Sequence, residues 1–81
     1  MRQFQTYPLG LASLTRRERD VLVHAVRGAR NGEIALQLGI RPVTVESHLT
    51  QLYRKLEVRS RVELVVAAAR WGLIEAMSRA S

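Results

Sequence analysis

Residues 31–56 read NGEIALQLGIRPVTVESHLTQLYRKL, and their spacing decides the architecture. Ile34, Ala35 and Leu38 recur at helical intervals behind Glu33, an anion placed in the first turn where the helix dipole favours it. Asn31 is the expected cap of this short helix, and Gly39 its expected left-handed stop. Only Gly39, Ile40 and Arg41 precede Pro42, whose missing N–H suits the first position of the next helix. From there Val45, Leu49, Leu52 and Leu56 step by four, three and four, a single inward stripe about three turns long. Two helices joined by a three-residue turn containing glycine make a helix-turn-helix unit.

The flanks supply two more helices. Thr15 with Glu18 has the spacing of a capping box, and Leu14 before the cap packs with Val21 or Leu22 as a staple. Val21, Leu22, Ala25 and Val26 form the inner stripe, leaving Arg16, Arg17, Arg19, Asp20 and Arg27 towards water. Gly28 and Arg30-Asn31-Gly32 end that helix. Ser60 and Glu63 repeat the capping spacing, with Leu64, Val65 and Ala68 on a core face that extends to Val62 and Ala69, and Gly72 closes the helix. No alternating run is bounded by hairpin turns, so the expected fold is all-α. The expected division is an irregular N-terminal arm over 1–13, a four-helix domain over 14–74 and a frayed tail over 75–81. Tyr7, Leu9 or Leu11 would rest on the domain, Trp71 would pack locally or at an interface, and Leu73 and Ile74 would fold back over the last helix.

The 81 residues suffice for one small domain. Thirteen Lys+Arg against seven Asp+Glu give a net charge of +6, and Lys55 is the lone lysine. That excess favours a polyanionic partner. Without cysteine there is no disulfide, thiolate metal site or cysteine nucleophile. The longest apolar run is far below the about 20 residues that span a bilayer. The start shows no secretory signal, making the cytoplasm the expected compartment. Ser47 and His48 lie about 100° apart on a helix, poor geometry for nucleophile and base. His24 has no carboxylate pair around it. No enzyme, metal site or cofactor is expected.

If the stripe from Val45 to Leu56 points inward, Glu46, Ser47, Thr50, Gln51 and Arg54 point outward. Such short polar groups either form a solvated face or enter a major groove about 12 Å wide. Positive charge is heaviest on the flanking segments, +3 over 14–30 and +2 over 59–72, against +1 over 41–58. That distribution suits phosphate clamping around a nearly neutral reader. Arg16, Arg17 and Arg19 serve either phosphates or solubility, and Tyr53 either packs or meets a phosphate. The last helix carries Val66 and Ala67 beyond its core needs. They are hidden either by the N-terminal arm or by a twofold mate.

The ordered set Leu14-Thr-Arg-Arg-Glu18, Val21-Leu22, Gly28, Asn31 to Ala35, Leu38-Gly39-Ile40, Thr44-Val45, His48, Lys55-Leu56, Val58, Arg61, Ala68 and Gly72-Leu73 closely resembles the LuxR-type (GerE-like) helix-turn-helix domain of bacterial response regulators and quorum-sensing activators. The resemblance covers Leu14 to about Ile74 without a gap. It implies a four-helix domain that binds double-stranded DNA as a homodimer, with the third helix in the major groove and the fourth at the dimer contact. Carried over residue by residue, the base contacts are Glu46, Ser47 and Thr50. Arg41, Thr44, His48, Arg54, Lys55, Arg59 and Arg61 would hold phosphates or helix ends. Glu63, Val66, Ala67 and Arg70 would line the dimer interface.

Two positions depart from the family pattern. Arg41 replaces the common Ser cap of the reader helix, and Glu46 stands where many members carry Lys or Arg. A carboxylate there loses phosphate attraction but accepts a hydrogen bond from cytosine N4, implying an altered base preference.

The expected function is a transcription regulator, stand-alone or the output part of a larger one, with RNA polymerase as a further partner and no membrane. Two other readings stay open. A sigma-factor-like promoter-recognition module shares the Arg-Glu-Arg opening, the Glu-Ile-Ala and the Thr-Val pattern. A helix-turn-helix interaction module that antagonises a full-length regulator would explain Glu46.

Overall fold

Thr15 and Glu18 start the first helix as a reciprocal cap. The Glu18 N–H donates to Thr15 Oγ1 at 3.1 Å, and the Thr15 N–H donates to Glu18 Oε1 at 2.9 Å. The computed structural model describes residues 13–70. The contacts expected of Tyr7, Leu9 and Leu11, the packing of Trp71, the stop at Gly72, the fold-back of Leu73 and Ile74 and the tail over 75–81 lie outside those residues.

Four helices follow one another: α1 (Arg16–Val26), α2 (Asn31–Leu38), α3 (Pro42–Lys55) and α4 (Arg61–Arg70). Among the described residues there is no strand, as the hydrophobic periods require. α3 is the pillar. It packs on both α1 and α2, these two touch each other, and α4 rests on α1. The stripes meet in one core, in which Val21, Leu22, Ala25, Ile34, Val45, Leu52, Leu64 and Ala68 have no exposed surface. Leu14 joins it from ahead of α1, completing the expected apolar contact at that end.

The first three helices close with one device. A left-handed residue follows the helix, and the next N–H reaches back five residues, the Schellman arrangement. Gly28 (φ 93°) ends α1, with Ala29 donating to the His24 carbonyl at 3.1 Å. Gly39 (φ 67°) ends α2, with Ile40 donating to Ala35 at 3.0 Å. At the end of α3 the left-handed residue is Glu57 (φ 59°), and Val58 donates to Tyr53 at 2.9 Å. Ala29, Ile40 and Val58 each pack against the core directly after the turn. Each short joint is thereby held by hydrogen bonds and burial together.

Three local expectations need correcting. Arg30, in extended backbone, is the residue before α2, and Asn31 is already helical. The Glu33 carboxylate reaches back to the Arg30 N–H at 2.7 Å, so the cap comes from inside the helix. At α4 the Ser60 hydroxyl accepts from the Glu63 N–H at 3.2 Å as expected, but the Glu63 carboxylate reaches past Ser60 to the Arg59 N–H at 2.8 Å. Val62 and Ala69 lie on the exposed side of α4, Val62 at 72% exposure, and do not belong to the core. The reason is angular. A face centred on Leu64 and Ala68 puts residues 62, 66 and 69 on the opposite side of a helix turning 100° per residue.

Glu57 holds a conformation that costs an L-residue roughly 1–2 kcal/mol, against roughly 0.5–1 kcal/mol for the extra backbone entropy of glycine. Glu57→Gly is therefore expected to stabilise the domain by up to about 1 kcal/mol. Thermal unfolding followed by circular dichroism should show a melting temperature several degrees higher. An unchanged or lower value would contradict the assigned strain.

Candidate nucleic-acid interface

Burial of Val45, Leu49, Leu52 and Leu56 fixes how α3 is turned about its own axis. Glu46, Ser47, Thr50 and Arg54 stand exposed on the far side, with Gln51 half-buried beside them. The Thr50 hydroxyl donates to the Glu46 carbonyl at 3.0 Å, which occupies its proton and leaves its lone pairs outward as acceptors. Arg54 donates from Nη2 to the Gln51 side-chain oxygen. The structure thus brings Glu46, Ser47 and Thr50 together on one face.

Thr44 and His48 are half-buried along one edge of this face, and Arg41 is fully at the surface where α3 begins. Arg41 has extended backbone (φ −83°, ψ 152°), the conformation that a following proline imposes. No side chain caps α3, as expected from the absence of serine at this position. The Arg41 carbonyl instead accepts from the Thr44 and Val45 N–H groups, at 2.9 and 3.1 Å.

Two basic residues of the expected phosphate set are turned inward. The Lys55 ammonium lies 2.8 Å from Glu18 Oε1 and donates to the Ser13 carbonyl at 3.0 Å. Arg61 donates from Nη1 to Asn31 Oδ1 at 2.7 Å and from Nη2 to the Ala29 carbonyl, tying the start of α4 to the α1–α2 turn. Arg59 is exposed and apart from these bonds. The phosphate set is therefore split: Arg41, Arg54 and Arg59 present charge to the outside, whereas Lys55 and Arg61 position helices.

The Glu18–Lys55 pair could not be read from the sequence, where Glu18 already had a sufficient role as a cap. It connects the first turn of α1 with the last turn of α3. Burial of Glu18 works to push its carboxyl pKa up. The Lys55 ammonium, aided by the Thr15 N–H and hydroxyl, outweighs that and holds it below the ordinary value of 4.5. The exposed Arg17–Asp20 pair at 3.4 Å is a weaker contact, worth at most about 0.5 kcal/mol. With its side chain about a quarter exposed, Lys55 stands short of a fully buried pair, whose rupture costs about 3–5 kcal/mol.

On α4, Glu63, Val66 and Arg70 are exposed and Ala67 is half-buried, so the four residues expected at a dimer contact lie together on one flank. Val62 and Ala69 border them and extend the apolar strip. Among the described residues there is no cluster of His, Cys, Asp or Glu able to hold a metal ion, and no helix long and apolar enough to cross a membrane.

The pattern carried by this scaffold matches, over residues 12–68, the family described as "Bacterial regulatory proteins, luxR family". The chain belongs to the LuxR family. It is 49% identical over 63 residues to the "Putative HTH-type transcriptional regulator Mb0914c" of Mycobacterium bovis, covering 78% of this chain and 7% of that protein. It is 43% identical over 60 residues to the "Uncharacterized transcriptional regulatory protein YhcZ" of Bacillus subtilis, covering 74% of this chain and 28% of the other. With the response regulator UvrY of Escherichia coli it shares 36% identity over 70 residues, 86% of this chain and 32% of UvrY. The chain therefore spans less than a third of the length of each of these relatives. No solved structure matches it.

For this LuxR-family domain the internal ion pair makes a prediction about acid. Because folded Glu18 binds its proton less readily than the unfolded chain does, its contribution is complete above pH about 4.5 and is lost as pH falls through the lower folded value. Urea unfolding from pH 6 to pH 3 should show Glu18→Gln less stable than the native chain at pH 6, with the gap shrinking below pH 4.5. A gap constant across that range would exclude the carboxylate as its source.

Proposed function

We propose that this domain binds double-stranded DNA in a sequence-specific way and acts as the output part of a transcription regulator. The observation that carries this reading is the outward face of α3. Ser47 and Thr50 with Glu46 offer short hydrogen-bonding groups on a helix whose opposite face is wholly buried. Such a helix enters the major groove without a bulky side chain holding it off. Ser47 and Thr50 contact base edges, and Glu46 accepts from a cytosine amino group.

Phosphates are held by Arg41, Arg54 and Arg59, with Thr44 and His48 at the edge of the groove. Arg41 at the uncapped start of α3 adds its charge where the helix dipole already favours an anion. Lys55 and Arg61 contribute by fixing α3 and α4. The domain dimerises on two half-sites through Glu63, Val66, Ala67 and Arg70 of α4, joined by Val62 and Ala69. An apolar strip at this exposure on a small domain is suited to a twofold mate. Residues 14–74 form the binding domain, 1–13 an arm and 75–81 a tail.

Selection of bound duplexes from a random pool, followed by titration at several salt concentrations, tests the reading. Arg41, Arg54 and Arg59 on each protomer give about six neutralised phosphates in a dimer, so log K should fall against log salt with a slope of about −5. A flat plot would remove DNA as the ligand. Val66→Glu, at a position already half exposed to solvent, should leave the helical circular dichroism unchanged and abolish cooperative occupation of paired half-sites in gel shifts. Retained cooperativity would exclude α4 as the contact.

A further inference from the structure

Val43 is 61% exposed in the first turn of α3, and it is not among the hydrophobic residues packed on the core. A single apolar residue at a surface is ordinary. Its direction is what distinguishes this one. With the buried stripe of α3 on one side, 100° per residue places Val43 at the centre of the opposite face. It lies in line with Ser47, Thr50 and Arg54, at intervals of four, three and four. Glu46 flanks the line.

This position therefore belongs to the proposed reading face, although neither periodicity nor the family resemblance placed Val43 there. Valine is a weak helix former, and its branched side chain here stays mostly exposed. A surface laid against this face would cover it. Within a major groove the apolar group presented by the bases is the C5-methyl of thymine.

We propose that Val43 is a specificity residue that packs its methyl groups against a thymine C5-methyl; the inference rests on the DNA-binding reading above. Val43 and Glu46 are separated by about 4.5 Å along the helix axis, and base pairs by about 3.4 Å. The thymine thus lies one or two base pairs from the cytosine whose amino group Glu46 accepts. The half-site contains a methyl and an N4 donor at that short, fixed interval. Arg41 and the start of α3 keep this end of the helix against the backbone, so the short valine side chain meets only the nearest base.

The test uses the 81-residue chain and the duplex enriched from a random pool. Each thymine is replaced in turn by deoxyuridine, which removes only the methyl, and Kd is measured by fluorescence anisotropy. One thymine per half-site should weaken binding about fourfold, the loss matching one buried methyl group at about 0.8 kcal/mol. With Val43→Ala the same replacement should have no effect, whereas Val43→Thr, which keeps a γ-methyl, should retain sensitivity to it. Circular dichroism of both variants checks that α3 is intact. A duplex that is enriched but indifferent to every deoxyuridine, or equally sensitive with Val43→Ala, overturns the role of Val43 while DNA binding stands. Failure to enrich any duplex overturns both.

Discussion

The rotational setting of one helix governs the rest of this molecule. Val45, Leu49, Leu52 and Leu56 are buried between α1 and α2, and no other orientation of α3 would hide all four. Every outward side chain is placed by that burial, since each residue advances the helix by a fixed angle. The Glu18–Lys55 ion pair then holds the far end of α3 to the start of α1. A hydrophobic contact sets the orientation, and a charged one secures it. Their division of labour follows from magnitude. Burying one large aliphatic side chain contributes about 1.5–3 kcal/mol, more than a partly solvated ion pair supplies.

Charge is distributed to complement this arrangement. α3 carries Glu46 on its exposed side, and positive side chains stand at its ends and on neighbouring segments. Attraction to a phosphate backbone is long-ranged and blind to sequence, whereas hydrogen bonding at base edges is short-ranged and selective. In the proposed DNA complex, separating the two would let a carboxylate flank the reading face without undoing the overall attraction to phosphate. Not every basic side chain has its donors turned outward for a direct phosphate contact. Arg61 is committed to Asn31 and Ala29, and Lys55 to Glu18 and Ser13.

Much of this was legible in the residues. The four helices, the inward stripes of α1, α2 and α3, the cap at Thr15 and the left-handed Gly39 all follow from local periodicity and backbone preference. Three kinds of feature escaped. The Glu18–Lys55 and Arg61–Asn31 contacts join residues 37 and 30 positions apart, and no local pattern reports such pairs. Glu57 was hidden because a left-handed turn is announced by glycine or asparagine, not by glutamate. The side of α4 was misjudged at Val62 and Ala69 because that helix is apolar nearly all round. Its period alone did not say which apolar residues face α1. On α3 the same weakness passed over Val43, an apolar residue on the polar face.

The matched closures of α1, α2 and α3 leave almost no spare backbone between helices. In each joint the residue after the left-handed turn is both hydrogen-bonded and packed, so an inserted amino acid would have to break a backbone bond and withdraw an apolar side chain at once. Diversification of such a scaffold is thereby channelled into exchange of side chains at constant length. The frame stays in register while its outward letters change.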